Sequence, residues 1–211
     1  MEAIRLDLPA SLQRRTELRT GDFVALYGTI FTMRDAGHQR ALDYLADHGR
    51  LPFDLEGQAL FYAGPTPATA GRPFGAIGPT TASRMDFATP QLLKAGITAT
   101  LGKGNRSLAV AEACKETGSV YLATTGGAAA YLAGFVSAAR LIAWEDLGAE
   151  ALYRLELNGM PAYVAIDTQG TNLYGRCLDD PHECQGEECQ GDVSLDTLDT
   201  CDSQKEGGTH E

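Results

Sequence analysis

Strand-like and helix-like hydrophobic patterns alternate along the chain up to about Tyr174. Residues 23–30 form an almost continuous apolar run, which is typical of a buried strand. Residues 36–48 instead repeat their apolar positions with a helical period, and Gly49 follows where a helix C-cap belongs. A second short apolar run over 59–63 predicts another strand.

The middle of the chain continues this alternation with clear boundary signals. Thr89-Pro90 predicts the start of a short helix that Gly96 ends, and the β-branched residues 97–101 follow as a strand. The elements predicted next are a helix over 107–117 ended by Gly118, a strand over 120–124, an Ala-rich helix opened by Gly126-Gly127 and running to about Ala139, and a strand over 141–144.

Near the end of the pattern, Asn158-Gly159 is a strong two-residue hairpin signal. It lies between the strand-like segments 151–157 and 162–167, although Pro161 weakens the signal. Strands that alternate with helices, followed by one late hairpin, predict an α/β domain with a mixed sheet.

The composition changes abruptly after Tyr174. Eleven of the 28 acidic side chains and one of the 17 basic ones lie in residues 177–211, so the net charge of −11 reduces to −1 for residues 1–176. Such a polar segment cannot bury enough apolar surface to offset its ordering entropy. We therefore predict one domain over 1–176 and a disordered acidic tail over 177–211.

The nearly neutral body argues against nucleic-acid binding, which needs a basic surface. No apolar run approaches the roughly eighteen residues of a membrane span, and residues 1–18 lack the apolar core of a signal peptide. We therefore expect no nucleic-acid partner, no membrane partner and a cytoplasmic location.

Four of the five cysteines lie in the acidic tail, at Cys177, Cys184, Cys189 and Cys201. None of them forms the C-x-x-C pairs typical of compact zinc sites, so loose thiols are favoured over metal or cluster binding. Cys114 falls in the apolar helix predicted over 107–117, which indicates a core position. We expect this chain to hold no metal.

Arg34, Asp35 and His38 fall in the loop between a predicted strand and the helix that follows it. In open α/β sheets, ligands bind at the carboxyl ends of strands, where such loops lie. A structural alternative stays open, in which Asp35 caps the helix and Arg34 pairs with a surface acid. His38 fits a buried first-turn histidine at least as well as a catalytic group.

Thr80, Thr81 and Arg84 follow a Gly-Pro break in IGPTTASRMD. If this segment forms a helical turn, Thr80 and Arg84 share one face. Free amides at a helix N-terminus attract an anion, and an arginine beside them grips a carboxylate through two parallel hydrogen bonds. An ordinary hydroxyl-capped helix start is an equally good interpretation.

Lys103 lies between two glycines in LGKGNRS, again between a strand and a helix. The segment is similar to a truncated dinucleotide fingerprint, but the next strand ends without the acid that would bind a ribose. What remains is a lysine placed where the backbone approaches a ligand closely. Gly126-Gly127 is either a second anion site or a point of close packing. Glu145 and Asp146 fit a solvated loop better than an acid–base or metal site.

Seven separated motifs occur over about residues 5–175, in the order GTIFTMRDAGH, FYAGPTP, IGPTTASRMDFATPQLL, LGKG, TTGGAAA, AWEDLGAEA and AIDTQGTNLY. Together they resemble the β subunit, or equivalently the C-terminal domain, of class I (iron–sulfur) fumarate hydratases and the related tartrate dehydratases. The resemblance implies a swivelling β/β/α domain. It also implies an α2β2 assembly in which cysteines of the α subunit hold a [4Fe–4S] cluster and the substrate lies at the subunit junction.

By position in these motifs, the residues that match the family's substrate-carboxylate ligands are Arg34, Arg84 and Lys103. Thr80 matches the threonine proposed as the catalytic base. Dehydration removes a proton from the carbon next to a carboxylate, and fixed cations stabilise the charge that then builds there. The supporting positions that the motifs suggest are Asp35, His38, Thr81, Gly126 and Gly127.

The predicted function is that of a hydro-lyase β subunit that interconverts fumarate and L-malate and is active only with its α subunit. The RMD and TPQLL segments and EDLGAEA are closer to fumarases than to tartrate dehydratases. Two alternatives stay open: a β subunit acting on tartrate or another 2-hydroxy diacid, and a non-catalytic anion-binding domain. The ending over 177–211 departs from the family pattern.

Overall fold

The computed structural model describes residues 2–67, 71 and 75–175. The strands in these residues are β1 (Ile4–Leu8), β2 (Phe23–Thr32), β3 (Ala59–Phe61), β4 (Ala99–Gly102), β5 (Val120–Ala123), β6 (Val136–Ala143) and β7 (Leu152–Ile166). The α-helices are α1 (Leu12–Glu17), α2 (Asp35–His48), α3 (Thr89–Lys94), α4 (Leu108–Thr117) and α5 (Ala129–Ala133). Short 3-10 helices occupy Ala82–Met85 and Glu145–Glu150.

Strand β2 pairs with three other strands. It runs parallel to β1 and β3, and antiparallel to β7 from Phe23 to Thr32. Strands β3, β4 and β5 continue the parallel series, and β5 pairs back onto β7, so the order β2, β3, β4, β5, β7 closes into a ring. The predicted α/β domain with a mixed sheet is confirmed. The four parallel strands that belong to the ring, β2 to β5, have their carboxyl ends at one of its edges.

Strands β3, β4 and β5 are buried on both faces, which accounts for their continuous apolar runs, whereas β2 is buried on both faces only over residues 30–32. Leu60 and Tyr121 pack with the helices in one apolar cluster, whereas their neighbours Phe61 and Leu122 belong to a second cluster. Cys114 lies in the helix-side cluster as predicted, and burial raises the pKa of its thiol to about 12.

The helices with clear glycine stops are confirmed. Helix α2 ends at His48, followed by Gly49 in the left-handed conformation (φ 67°), and α4 ends before Gly118 (φ 65°). Both glycines adopt a conformation that costs other residues free energy, so the stop signal has a direct physical basis.

The Ala-rich helix predicted from Gly126-Gly127 to about Ala139 is wrong. Helix α5 covers only Ala129–Ala133, and the chain then enters β6, which pairs antiparallel with the first half of β7. The predicted strand over 141–144 is the end of this longer strand. Alanine's helix preference is a weak prior, and strand pairing overrides it here.

The hairpin predicted at Asn158-Gly159 is also wrong, because β7 continues through both residues. Leu26 pairs with Met160 while Tyr27 pairs with Asn158, so Gly159 (φ 80°) is the extra residue of a β-bulge. The strand cannot reverse here, since both of its halves stay paired with β2. The first half pairs with β6 and the second with β5.

The acidic tail predicted over 177–211, with its four cysteines, lies outside the described residues. The swivelling character of the domain stays a prediction. Across the part of the chain that the structure describes, we find no helix both long and apolar enough to cross a membrane.

Candidate functional site

The edge at which the four parallel strands end carries the predicted site residues. Arg34 follows β2, Gly64 follows β3, Lys103 follows β4 and Gly126 follows β5. Thr80 and Arg84 come from the connection between β3 and α3. The closed order of the strands therefore brings loops that are distant in sequence to one end of the ring.

Arg34 precedes α2, and its side chain passes over the backbone at Gly64. A Cβ at Gly64 would lie 2.8 Å from Arg34 Nη1 and 2.7 Å from the Ala149 carbonyl oxygen, so only glycine fits there without displacement. Arg34 Nη2 is 3.6 Å from Glu150 Oε1, and the Arg34 side chain is 24% exposed. Its buried Nε has no hydrogen-bond partner among the described residues.

Arg84 contacts Asp35 and so joins two of the predicted segments. Its Nε and Nη2 each lie 3.0 Å from Asp35 Oδ1, while Asp35 Oδ2 is buried without a partner in the described part of the chain. The helical turn expected here forms over Ala82–Met85, with Thr81 as an exposed N-cap residue. Thr80 thus precedes the turn and does not share a helical face with Arg84.

Thr80 and Lys103 lie on neighbouring backbone segments. The Thr80 N–H donates to the Tyr62 carbonyl at 2.6 Å, and the Lys103 N–H donates to the Thr80 carbonyl at 3.3 Å. The Ala82 N–H donates to the Lys103 carbonyl at 2.8 Å. These bonds fix the backbone on both sides of the Thr80 hydroxyl against the loop that carries Lys103.

The two glycines after β5 differ in their surroundings. A Cβ at Gly126 would lie 3.2 Å from Lys103 Cδ and 3.5 Å from its Nζ, so the lysine packs closely over this glycine. Gly127 has open space around it and a φ of 76°. The contact with Lys103 supports close packing as the role of Gly126, and the backbone conformation accounts for Gly127.

His38 lies in the first turn of α2 and is completely buried. Its pKa is lowered to about 4, mainly by burial and with a smaller contribution from the nearby Arg106 guanidinium, although a hydrogen bond to the Arg34 carbonyl acts in the opposite sense. The neutral ring donates from Nδ1 to that carbonyl at 2.7 Å and packs edge-on against Tyr62. His38 therefore supports the backbone of Arg34 from inside the core.

The buried Arg106 forms an ion pair with the partly buried Asp86, and the sequence did not reveal this pair. Arg106 Nε donates to Asp86 Oδ1 at 2.6 Å, and Nη2 donates to Thr89 Oγ1 at 2.6 Å. The guanidinium also lies 5.1 Å from the Tyr62 ring centroid and 4.9 Å from that of Tyr121. No local sequence pattern predicts this ion pair, because its two members are twenty positions apart in different loops.

Asp86 uses its second oxygen to complete a link across the site. Its Oδ2 accepts the Ser107 N–H at 2.7 Å, at the start of α4. The segment that bears Arg84 is thereby tied to the loop that bears Lys103 by the Asp86–Arg106 pair and by this backbone contact. The two cationic segments hold a fixed relative position.

Glu150 is a second residue that sequence analysis did not single out. Its Oε2 accepts the Ala36 N–H at 3.0 Å at the start of α2, while Oε1 faces Arg34. Asp146, on the same 3-10 helix, is exposed and pairs with Arg40 of α2 at 2.5 Å. The only feature of the sequence that pointed to Glu150 is its position within the AWEDLGAEA motif.

The Fumarase C-terminus family model matches residues 1–177. The chain belongs to this family. It is 36% identical over 179 residues to the aerobic class I fumarate hydratase of Salmonella typhimurium, covering 82% of this chain and 31% of that protein. Fumarate hydratase 2 of Leishmania major is 33% identical over 182 residues, covering 83% and 32%. The chain spans about a third of the length of the fumarate hydratases it matches.

Another relative is shorter, and this chain covers most of its length. The putative L(+)-tartrate dehydratase subunit beta of Methanocaldococcus jannaschii is 35% identical over 164 residues, covering 75% of this chain and 84% of that protein. The resemblance inferred from the seven motifs is therefore confirmed at the level of the family. The relatives bear the names of lyases.

The described part of this Fumarase C-terminus domain offers no metal site, since no three His, Cys, Asp or Glu side chains in it come close enough to hold an ion. The tail cysteines lie outside it. The residues at the site instead offer cationic and hydroxyl groups, which suit an anionic organic ligand.

We expect acid to destabilise the domain through His38. Its pKa is about 4 in the folded state, below the unfolded value of about 6.5, so the unfolded state binds more protons. The contribution is fully present above about pH 6.5 and declines by about 3 kcal/mol as the pH falls to 4. Urea unfolding at pH 7 and pH 4 should show a smaller pH-dependent loss for His38→Gln than for the wild type.

The exposed His48, at the other end of α2, provides the matched control. His48→Gln should retain the pH dependence of the wild type, since its side chain is exposed. Equal pH-dependent losses in the wild type and His38→Gln would contradict the assignment of this effect to the buried imidazole.

Proposed function

We propose that this chain is the β-type component of an iron–sulfur hydro-lyase that interconverts fumarate and L-malate. The observation that carries the proposal is the convergence of Arg34, Arg84, Lys103 and Thr80 on one edge of the strand ring. Membership of the Fumarase C-terminus family supports the same reaction class. In this proposal the chain binds the dicarboxylate and moves a proton.

The cations account for binding of a small dianion. Fumarate and malate carry a carboxylate at each end, and a planar guanidinium holds a carboxylate through two parallel hydrogen bonds. Arg34 and Arg84 belong to different loops but are linked through the adjacent Asp35. Two separate guanidinium groups and the Lys103 ammonium then orient the substrate as well as bind it.

Thr80 is proposed to remove the proton from the carbon next to a substrate carboxylate. The C–O bond of the neighbouring carbon breaks at the same time and its hydroxyl group leaves, for which the partner's cluster would supply the Lewis acid. Negative charge builds on that carboxylate as the proton leaves, and the fixed cations stabilise it. The Thr80 hydroxyl is a weak base unless a neighbouring positive charge favours its ionised form. In this proposal the Lys103 side chain supplies this charge; its backbone is hydrogen-bonded to that of Thr80, and its ammonium group lies over Gly126.

The proposed partner is an α subunit that holds a [4Fe–4S] cluster, in an α2β2 assembly with the substrate at the junction. The chain corresponds to about a third of the fumarate hydratases it matches. In this proposal the α subunit supplies a second surface that encloses the substrate at the strand ends. A swivelling domain motion would serve this closure.

Tartrate is the second candidate substrate. The observation that favours it is that this chain covers 84% of the putative tartrate dehydratase β subunit. The same cations would bind L-tartrate, which is also a 2-hydroxy dicarboxylate. The motifs RMD and EDLGAEA favour fumarate, so we place L-malate and fumarate first.

The full-length chain alone is expected to show no hydratase activity, whereas the chain co-produced anaerobically with its α subunit should turn over fumarate and L-malate. Absorbance assays with fumarate, L-malate and L-tartrate side by side test both statements. Turnover of L-tartrate, without turnover of fumarate or L-malate, would favour the second candidate substrate. Robust turnover by the isolated chain would refute the shared site.

A further inference from the structure

Each of the two arginines of the site lies next to a carboxylate of this chain: Arg84 contacts Asp35, and Arg34 lies 3.6 Å from Glu150. We propose that Glu150 and Asp35 are positioning residues, each of which holds one arginine so that the remaining edge of its guanidinium faces a substrate carboxylate. The inference rests on the proposed function, because it assigns these arginines to carboxylate binding. Glu150 lies outside the set of residues to which the motifs gave a role.

The contact at Arg84 leaves a defined edge free. Asp35 Oδ1 lies 3.0 Å from both Nε and Nη2 of Arg84, so a single carboxylate oxygen occupies that edge of the guanidinium. The Nη1 and Nη2 ends retain donors that point away from Asp35. Those donors can bind both oxygens of one substrate carboxylate.

The contact at Arg34 is anchored to the backbone. Glu150 accepts the Ala36 N–H through Oε2, which fixes the carboxylate at the start of α2, and its Oε1 lies 3.6 Å from Arg34 Nη2. The absence of a side chain at Gly64 leaves room for the guanidinium, since a Cβ there would lie 2.8 Å from Arg34 Nη1. Both members of the pair are about three-quarters buried, at 24% and 25% exposure, so solvent screens their attraction only in part.

Glu150 could act by holding Arg34 in place or only by reducing the positive charge of the site. The two roles predict opposite changes in the affinity for a dianion when Glu150 is replaced by a neutral residue. The three proposed ligands carry three positive charges, and Asp35 and Glu150 oppose two of them. If Glu150 only reduces the positive charge, its removal strengthens the binding of a dianion. If it holds Arg34 in place, its removal weakens the contact with the second carboxylate even though the local charge becomes more positive.

NMR titration of the full-length chain with succinate and with butyrate separates these effects. The two probes differ mainly in the second carboxylate, and the ratio of their dissociation constants does not depend on turnover or on the active fraction. In Glu150→Gln the preference for succinate should fall about tenfold. The glutamine retains an oxygen for the Ala36 N–H, so the start of α2 keeps its cap.

Asp146→Asn is the matched control, because Asp146 links the same 3-10 helix to the same helix α2 through Arg40. It should keep the wild-type preference. Asp35→Asn, which disturbs the other arginine, should lower the preference as Glu150→Gln does. An unchanged or increased preference for succinate in Glu150→Gln would overturn the positioning role, and so would an equal loss in Asp146→Asn.

The proposed function is judged separately. If the co-produced complex lacks hydratase activity but Glu150→Gln weakens succinate binding, the positioning role stands and the reaction assignment fails. If the complex is active but Glu150→Gln retains the full preference for succinate, the reaction assignment stands and the positioning role fails.

Discussion

Thr80→Ala in the complex with the α subunit is expected to lower kcat for L-malate about a thousandfold, which is typical of a lost general base. KM should change by no more than about threefold, since the cationic ligands remain and bind the ground state. The substitution should preserve the loop, because Thr80 is held by backbone hydrogen bonds to Tyr62 and Lys103. Steady-state kinetics under anaerobic conditions measure both constants.

Two further variants test whether the loss of kcat comes from the missing hydroxyl group or from a change in the loop. Thr80→Ser keeps a hydroxyl on the same backbone and should recover most of the lost kcat. Ser83→Ala removes an exposed hydroxyl from the adjacent 3-10 helix and should leave kcat unchanged. A Thr80→Ala complex with a kcat within about tenfold of the wild type would exclude Thr80 as the base.

The parts of the fold that the sequence predicted well are those fixed by local geometry. Helix α2 ends at His48 because the left-handed conformation at Gly49 suits glycine, and the apolar runs over β3 and β5 reflect burial on both faces. The strand-to-helix loops at Arg34 and Lys103 followed from the same pattern. Parallel pairing then placed both loops at one edge.

The errors arose where pairing partners decide the conformation. Asn158-Gly159 has the chemistry of a turn, but β2 continues alongside both of its flanks, so the extra residue becomes a bulge. The segment after α5 is rich in alanine, yet it completes an edge of the sheet beside β7. Neither outcome can be inferred from a window of a few residues.

The supporting residues of the site show the same limit. Arg106 and Asp86 meet only because α4 begins beside the turn that precedes α3. Glu150 reaches Arg34 across more than a hundred positions of sequence. Candidate ligands on loops can be identified by residue type and spacing, whereas the groups that hold those ligands depend on tertiary contacts.

Arg106→Met is expected to destabilise the chain by about 3 kcal/mol, because it leaves the largely buried carboxylate of Asp86 without its cation. The Arg106 side chain is wholly inaccessible and also donates to Thr89, so water cannot replace the lost contacts without opening the core. Urea unfolding at pH 7 measures the loss.

Lys94→Met provides the comparison, since it removes an exposed cation that pairs with Glu116 at 2.9 Å. It should change the free energy of unfolding by no more than about 1 kcal/mol. Similar effects for the two variants would show that Arg106 does not hold the segments of Arg84 and Lys103 together. A large loss for Arg106→Met alone would make the Asp86–Arg106 pair the structural support of the cationic site, because the same carboxylate also binds the first turn of α4.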